Sequence, residues 1–343
     1  MKNIHKFTIL TFIFISFCYY SCHGTESTNA IMTAYHNGRF GDQLLLYYNA
    51  KRLAWLLNMP FLYQPFEYSD RLVLHKHEIQ YTQDLKQRFR LKQPASAALK
   101  KIEPYILYEV SFYKPIIFPH ATAEDQAEFL AHMRKMIAPR KKIKAIQLPK
   151  NMITVAVHVR KGGGHDWPLM SRQEYTAEDI KKAHDKPVRK CLCSDVKHPS
   201  KFPPDQYYID QIKRLSELCG NVPMYLFIYT DDQKPEHIKQ RYKKLVNKTN
   251  IVFDSKKGDN NYQDCVLDDF FNMMKFDCLI RATSSFSYMV EELGCCKIAI
   301  SPTQVKWVGD ILVVEEVKTT INDESIILKT AVLDGVYELG NAR

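Results

Sequence analysis

From residue 151 onward the chain alternates between two hydrophobic periods. Short runs of branched, apolar and aromatic residues at 152–159, 224–229, 251–254, 278–282 and 296–301 read as strands. Between them, apolar residues recur at helical spacing over 205–219, 235–247, 266–276 and 284–293. Such alternation predicts a parallel sheet covered by helices. The first part of the chain reads the same way with less regularity. A strand is expected over 30–36, a glycine turn at Gly38 to Gly41, and a helix over 42–58, where Leu46, Ala50, Leu53 and Leu57 share a face. Pro60 stops that helix, 61–64 reads as the next strand, and 121–137 reads as a helix. Residues 66–105 show no clear period. The basic, proline-bounded stretch 139–150 reads as a linker, and 162–204 as a long lysine-rich excursion. The apolar stretches 311–314 and 326–333 have no assigned place. The fold class is α/β.

Chemistry concentrates at three strand ends. The run VAVHVRKGGG (155–164) carries His158, Arg160 and Lys161 into Gly162, Gly163 and Gly164. A guanidinium can grip phosphate oxygens bidentately, and glycines let backbone N–H groups approach them. The run YTDD places Asp231 and Asp232 at a strand end before Pro235. The run ATSSFSYM places Thr283, Ser284 and Ser285 where a helix begins. Each has a plain structural reading as a cap or turn. Read together, they put a cationic strand end, two carboxylates and a helix N-terminus on successive strand–helix units. In an open α/β sheet the ligand crevice lies outside the carboxyl ends of the strands. All three would face that crevice, where the cationic strand end and the helix N-terminus suit a polyanionic ligand.

HVRKGGG, YTDD and ATSSFSYM resemble the three ordered motifs of the fucosyltransferase superfamily, which includes α1,2-, α1,6- and protein O-fucosyltransferases. The segment NGRFGDQLLLYYNAKRLAWLLN (37–58) is similar to the GGLGNQ-type start of α1,2-fucosyltransferases, the closest family in pattern. DDFFNMMKFDCLIRATSSFS (268–287) aligns with their D-x-x-x-M…SNSSFS stretch. Three positions depart from that pattern: Gly163 stands for an aspartate, Arg39 for a small or apolar residue, and Asp42 for an asparagine.

The resemblance implies a GT-B-like architecture, two Rossmann-like halves facing a cleft. It implies an inverting, metal-independent transferase with GDP-fucose as donor and a glycan or glycoprotein as acceptor. No cofactor and no metal are expected. Carried over position by position, Arg160 would hold the diphosphate with His158 beside it. Lys161 and Gly162 would complete that phosphate loop, and Ser284 and Ser285 would bind phosphate. Asp231 would order the loop or ribose, and Asp269 would accept hydrogen bonds from the guanine edge. Apart from the resemblance, Asp166, His165 and Glu174 lie just past the glycine loop and are the candidates for the base that deprotonates the acceptor; spacing singles out none of them. Two other functions stay open: an inactive nucleotide- or carbohydrate-binding relative, and a transferase of another GDP-sugar.

Length, charge and the amino terminus add boundaries. The 343 residues accommodate two domains, expected at 30–145 (acceptor side) and 151–305 (nucleotide-sugar side), with 306–343 as an extension. The net charge of +10 is dispersed and no nucleic-acid motif accompanies it, which argues against a nucleic-acid partner. Residues 1–24 combine lysines, an uncharged apolar run and small polar residues, the layout of a signal peptide or short membrane anchor. A lumenal setting in the Golgi or endoplasmic reticulum follows, with a bacterial cell envelope as the alternative. Nine cysteines include no CxxC pair, so no zinc site is expected. Cys278, Cys295 and Cys296 read as buried thiols. Asn247, Lys248 and Thr249 form a glycosylation sequon.

Overall fold

The structure, a computed structural model, describes residues 30–33, 38–81, 87–91, 106–110, 122–162, 178, 181–182, 196, 198–260, 265–308, 311–322, 324–330 and 337–339. The 1–24 segment, Gly163, Gly164, His165, Asp166, Glu174, Cys191 and Cys193 lie outside the described residues.

Two α/β units are present, and their boundaries are interleaved along the chain. The first comprises 1–36, 46–64 and 78–129, and the second 37–45, 65–77 and 130–343. The sequence-based division at 145–151 is continuous, whereas in the structure residues 37–45 and 65–77 group with the carboxyl-terminal part.

In the first unit, β1 (Ala30–Thr33), β2 (Phe61–Tyr63), β3 (Ile79–Gln80), β4 (Gln87–Leu91) and β5 (Ile106–Val110) form a sheet in the order β3-β2-β1-β5-β4. All pairings are parallel. Central β1 is buried along its whole length, which is why it reads as an uninterrupted apolar run. Helix α1 (Phe40–Leu56) follows it in sequence. Leu46, Tyr47, Tyr48, Ala50 and Leu53 are buried at spacings that cover more than one face, so the helix is apolar nearly all round. Glu78, buried against this helix, accepts from Tyr47 Oη at 2.6 Å and from Lys51 Nζ at 2.7 Å. The one-turn helix α2 (Leu74–His77) groups with the second unit, whereas α3 (Ala123–Met136) starts in the first and ends in the second. Its start is capped reciprocally, with Thr122 Oγ1 accepting from the Asp125 N–H and Asp125 Oδ2 accepting from the Thr122 N–H.

The second unit is built on an eight-stranded sheet. Its strands are β6 (Ile153–Val159), β7 (Met224–Thr230), β8 (Ile251–Ser255), β9 (Cys278–Arg281), β10 (Ile298–Val308), β11 (Ile311–Ile321), β12 (Glu324–Thr330) and β13 (Tyr337–Leu339). The order is β13-β12-β11-β10-β9-β6-β7-β8. From β8 to β10 the pairing is parallel, and the helices α4 (Asp205–Leu218), α5 (Pro235–Val246), α6 (Val266–Met273) and α7 (Ser285–Leu293) connect the strands. In chain order this half-sheet reads 3-2-1-4-5, the doubly wound arrangement, with its topological switch between β6 and β9. Its core joins Val155, Val157 and Val159 of β6 to Tyr208 and Ile212 of α4 and to Leu226 and Ile228 of β7.

The described residues of 306–343, a segment with no place assigned from sequence, extend this sheet. β10 pairs with β9 only through Ile298, Ala299 and Ile300, then runs on against β11 alone. Pro302 falls where β9 pairing has ended, beside register shifts at Gln304, a position that tolerates a missing N–H. β11, β12 and β13 follow as an antiparallel meander. Among the described residues no helix is long and apolar enough to cross a membrane.

Candidate functional site

The switch between β6 and β9 delivers two side chains to the carboxyl edge of the second sheet. β6 ends with His158 and Val159, and Arg160 follows. β9 ends at Arg281, and Ser284 caps α7 three residues later. His158 and Arg281 are partners in the β6–β9 register, which fixes how far apart the following residues can be. Across the switch, Arg160 Nη1 donates to Ser284 Oγ at 3.2 Å. The guanidinium also lies over the Phe202 ring, 5.6 Å from its centroid. Stacking on one face and a hydrogen bond at one edge hold the fork in place. Ser284 adopts an extended backbone and makes no side-chain cap bond of its own, so the first N–H groups of α7 have no intrahelical acceptor there.

A cavity of about 320 Å³ opens beside this pair. Its lining includes His158, Arg160, Ser284 and Ser285 from the two motifs, and Asp231, Tyr229 and Thr230 from the end of β7. Asp269 of α6 and Asn260 of the preceding loop line it too, as do Arg39, Phe40 and Gly41 at the start of α1. Every one of these residues belongs to the second unit. Aromatic rings support the floor: Phe40 meets Phe270 at 5.5 Å and Phe286 at 6.4 Å, and Phe270 meets Phe286 at 5.5 Å. Gly41 has a specific reason here. A Cβ on it would lie 2.5 Å from both N and Cα of Phe286, so only glycine lets α1 start this close to α7.

The carboxylates at the end of β7 are both occupied by backbone. Asp231 Oδ1 accepts from the Lys161 N–H at 2.6 Å, and both its oxygens accept from the Gly162 N–H. Gly162 has φ 79°, so this turn needs glycine. Asp232 Oδ1 accepts from the Lys234 N–H at the start of α5. Asp231 thus ties the loop after β6 to the end of β7.

Two sequence-nominated residues sit differently. The ammonium of Lys161 is 2.6 Å from Asp205 Oδ1, with Tyr242 Oη and Arg241 on the same carboxylate, and it does not line the cavity. Burial pushes the Asp205 carboxyl up, but the Lys161 charge and the hydrogen bonds from Lys161, Tyr242 and Arg241 outweigh it and hold it below the usual range. Lys161 is therefore an anchor of the loop. Gly162 likewise serves the turn on Asp231 and is absent from the cavity wall. Asp166 lies outside the described residues. Of the thiols read as buried, Cys278 is, whereas Cys295 is exposed and Cys296 half-buried. Cys295 falls in the turn between α7 and β10, where its N–H donates to the Met274 carbonyl.

Two groups in the cavity wall, His158 and Asp269, are shifted toward their neutral forms by burial. Burial lowers the His158 pKa to about 3, and the charges of Arg160, Arg39 and Arg281 add to this. Burial raises that of Asp269 to about 7, with Asp268 adding to the rise and Lys256 opposing it. The adjacent acids on α6 divide their work. Asp268 Oδ1 accepts from the Lys144 N–H at 3.0 Å, while Asp269 faces the cavity. Sequence reasoning passed over Arg39, Phe202, Tyr229 and Asn260 as site residues. Arg39 carried the one available signal, a cation where a small or apolar residue stands in the resembled pattern. Among the described residues no group of three or more His, Cys, Asp or Glu is arranged to hold a metal ion.

No family model matches this sequence, and no curated protein matches it. Solved structures do. A mutant of the Arabidopsis thaliana fucosyltransferase FUT1 in complex with GDP superimposes with a TM-score of 0.50 over 82% of this chain and 72% of that one, at 11% identity. The fucosyltransferase NodZ from Bradyrhizobium covers 87% of this chain and 100% of its own, at 11% identity and a TM-score of 0.40. The interleaved Rossmann-like units, the switch-point arginine and the first of these superpositions lead to one conclusion: the chain has the GT-B-like α/β fold of the Arabidopsis fucosyltransferase.

Proposed function

We propose that this protein is a glycosyltransferase that moves fucose from GDP-fucose to a hydroxyl of a glycan or glycoprotein, with inversion and without a metal ion. The observation that carries the reading is the Arg160–Ser284 pair at the switch point, a fixed cation beside the free N-terminus of α7. In the reaction the acceptor oxygen attacks the anomeric carbon, the bond from that carbon to the β-phosphate oxygen breaks, and GDP leaves. Negative charge grows on the diphosphate as it does so. Arg160 and the N–H groups of Ser285 and Phe286 offset that charge without rearranging, which is where fixed dipoles are most effective. His158 stays uncharged at working pH. It therefore shapes the pocket beside the arginine and adds no second charge. Asp269 accepts from the N1–H and amino group of guanine once it has given up its proton.

Metal independence is supported by what the two β7 carboxylates do. Asp231 and Asp232 are committed to backbone N–H groups, and Arg160 already supplies positive charge at the diphosphate position. The acceptor base is assigned to Asp166, with His165 and Glu174 as the other candidates. The amino-terminal segment and the exposed Asn247 sequon support a lumenal, secretory-pathway setting.

The test is a donor screen on the purified protein. Release of GDP from GDP-fucose, with GDP-mannose and UDP-sugars turned over far more slowly, is the expected result. Turnover of UDP-sugars at equal rate would contradict the assignment, and GDP binding without any turnover would favour an inactive binding relative.

A further inference from the structure

Two buried polar atoms in the wall of the cavity have no hydrogen-bond partner: His158 Nδ1 and Tyr229 Oη. They are neighbours. His158 of β6 and Tyr229 of β7 are partners in a parallel register, so their side chains leave the same face of the sheet on adjacent strands. Tyr229 is only 5% exposed. Its ring is held by Phe227 at 4.7 Å and by the edge of Phe276 at 6.0 Å.

Those ring contacts need no hydroxyl. Phenylalanine would make them equally well and would not bury an unpaired O–H, an arrangement that is costly in a dry site. Burial, together with the nearby charge of Asp269, pushes the phenol well above its ordinary pKa, so the group stays protonated and is a donor. Asn260, in the same wall, is already engaged. Its amide donates to the Thr230 and Asp232 carbonyls, and its oxygen accepts from Lys256 Nζ. The Tyr229 O–H has no such commitment.

A carboxylate such as Asp269 satisfies the N–H donors of a guanine and leaves its carbonyl and ring nitrogens without donors. We infer that Tyr229 is a specificity-determining residue of this site, its hydroxyl donating to an acceptor atom of the purine whose N–H groups Asp269 accepts. The inference rests on the GDP reading of the cavity and adds to it a second base-reading group on a different element, β7 rather than α6.

Calorimetry of the full chain with GDP and with UDP, on the wild type and Tyr229→Phe, tests it, alongside thermal unfolding of both proteins without nucleotide. Tyr229→Phe is expected to weaken GDP about tenfold and UDP by less than about twofold, the loss of one hydrogen bond to the base. The melting temperature should hold or rise, since an unpaired hydroxyl is removed. Unchanged GDP affinity, or equal losses for both nucleotides, would overturn the inference while leaving the GDP reading intact. A lower melting temperature with unchanged GDP affinity would show a structural hydroxyl and overturn it too. A wild type that binds neither nucleotide would remove the GDP reading itself, and the inference with it.

Discussion

Arg160 Nη1 donates to Ser284 Oγ at 3.2 Å, joining the residue just past β6 to the residue that caps α7. The contact spans the point where strand order reverses, so the arginine is aimed by the fold and not only by its own rotamer. Ser284→Ala keeps the helix start but releases one edge of the guanidinium. A hydrogen bond to a charged group contributes about 1.5–3 kcal/mol. GDP affinity should therefore fall about tenfold or more, with a change of only a few degrees in melting temperature. Equilibrium binding and a melting curve measure both.

Asp269 makes nucleotide binding depend on pH. Its carboxyl is protonated below about 7 in the free protein, and guanine recognition needs it ionised. GDP affinity should rise with pH between 5 and 7, with a slope approaching about one logarithmic unit per pH unit, and then level off. Asp269→Asn should remove that slope, leaving the smaller contribution of the phosphate's own ionisation. Folding stability runs the other way. The raised pKa means that the folded state keeps a proton the unfolded state loses, so this contribution is full below the ordinary value of 3.8 and is lost as pH rises through about 7. His158, neutral above about 3, should add no step to the binding profile in this range.

Asp231 holds the turn at Lys161 and Gly162 through its carboxylate. Asp231→Ala leaves both N–H groups without that acceptor and should lower the transfer rate by about tenfold to a hundredfold through a displaced Arg160. If its role is the loop, the wild-type rate should persist in excess EDTA and stay level when manganese is added. Loss of activity in EDTA with recovery on adding manganese or magnesium would show that the aspartate pair binds metal. Steady-state rates with and without chelator decide between these.

Gly41 sits where a side chain has no room. A Cβ would approach the backbone of Phe286 to 2.5 Å, and neither helix start can yield like a flexible side chain. Gly41→Ala should cost about 1–3 kcal/mol of stability, as overpacking does. It should also weaken GDP binding, because Phe286 follows the serines that line the cavity. Denaturant unfolding combined with calorimetry separates the two effects.

Most of the second unit could be read from sequence because its signals are local. The strands of branched residues and the amphipathic helices from 205 to 293 fall within a few residues of their expected bounds, and the 3-2-1-4-5 order brings the HVRKGGG and ATSSFSYM ends together. Other features depend on contacts distant in sequence. Lys161 looks like a phosphate ligand because a cation precedes glycines, yet its partner is Asp205, 44 residues on. The interleaved units could not be read, because residues 37–45 and 65–77 carry no compositional mark of the body they join. β11 was hidden because most of its residues are half-buried, which blurs the two-residue period. Tyr229 reads as one more strand aromatic, and only its unpaired hydroxyl sets it apart.

The central claim is that Arg160 binds the diphosphate of a GDP-linked donor. Isothermal titration of GDP into the wild type, Arg160→Lys and Arg160→Ala addresses it most directly. The account predicts that Arg160→Ala binds GDP at least about a hundredfold more weakly, and that Arg160→Lys recovers only part of the loss, because a point charge replaces a bidentate fork. All three proteins should retain the same unfolding cooperativity. GDP affinity unchanged in Arg160→Ala would contradict it.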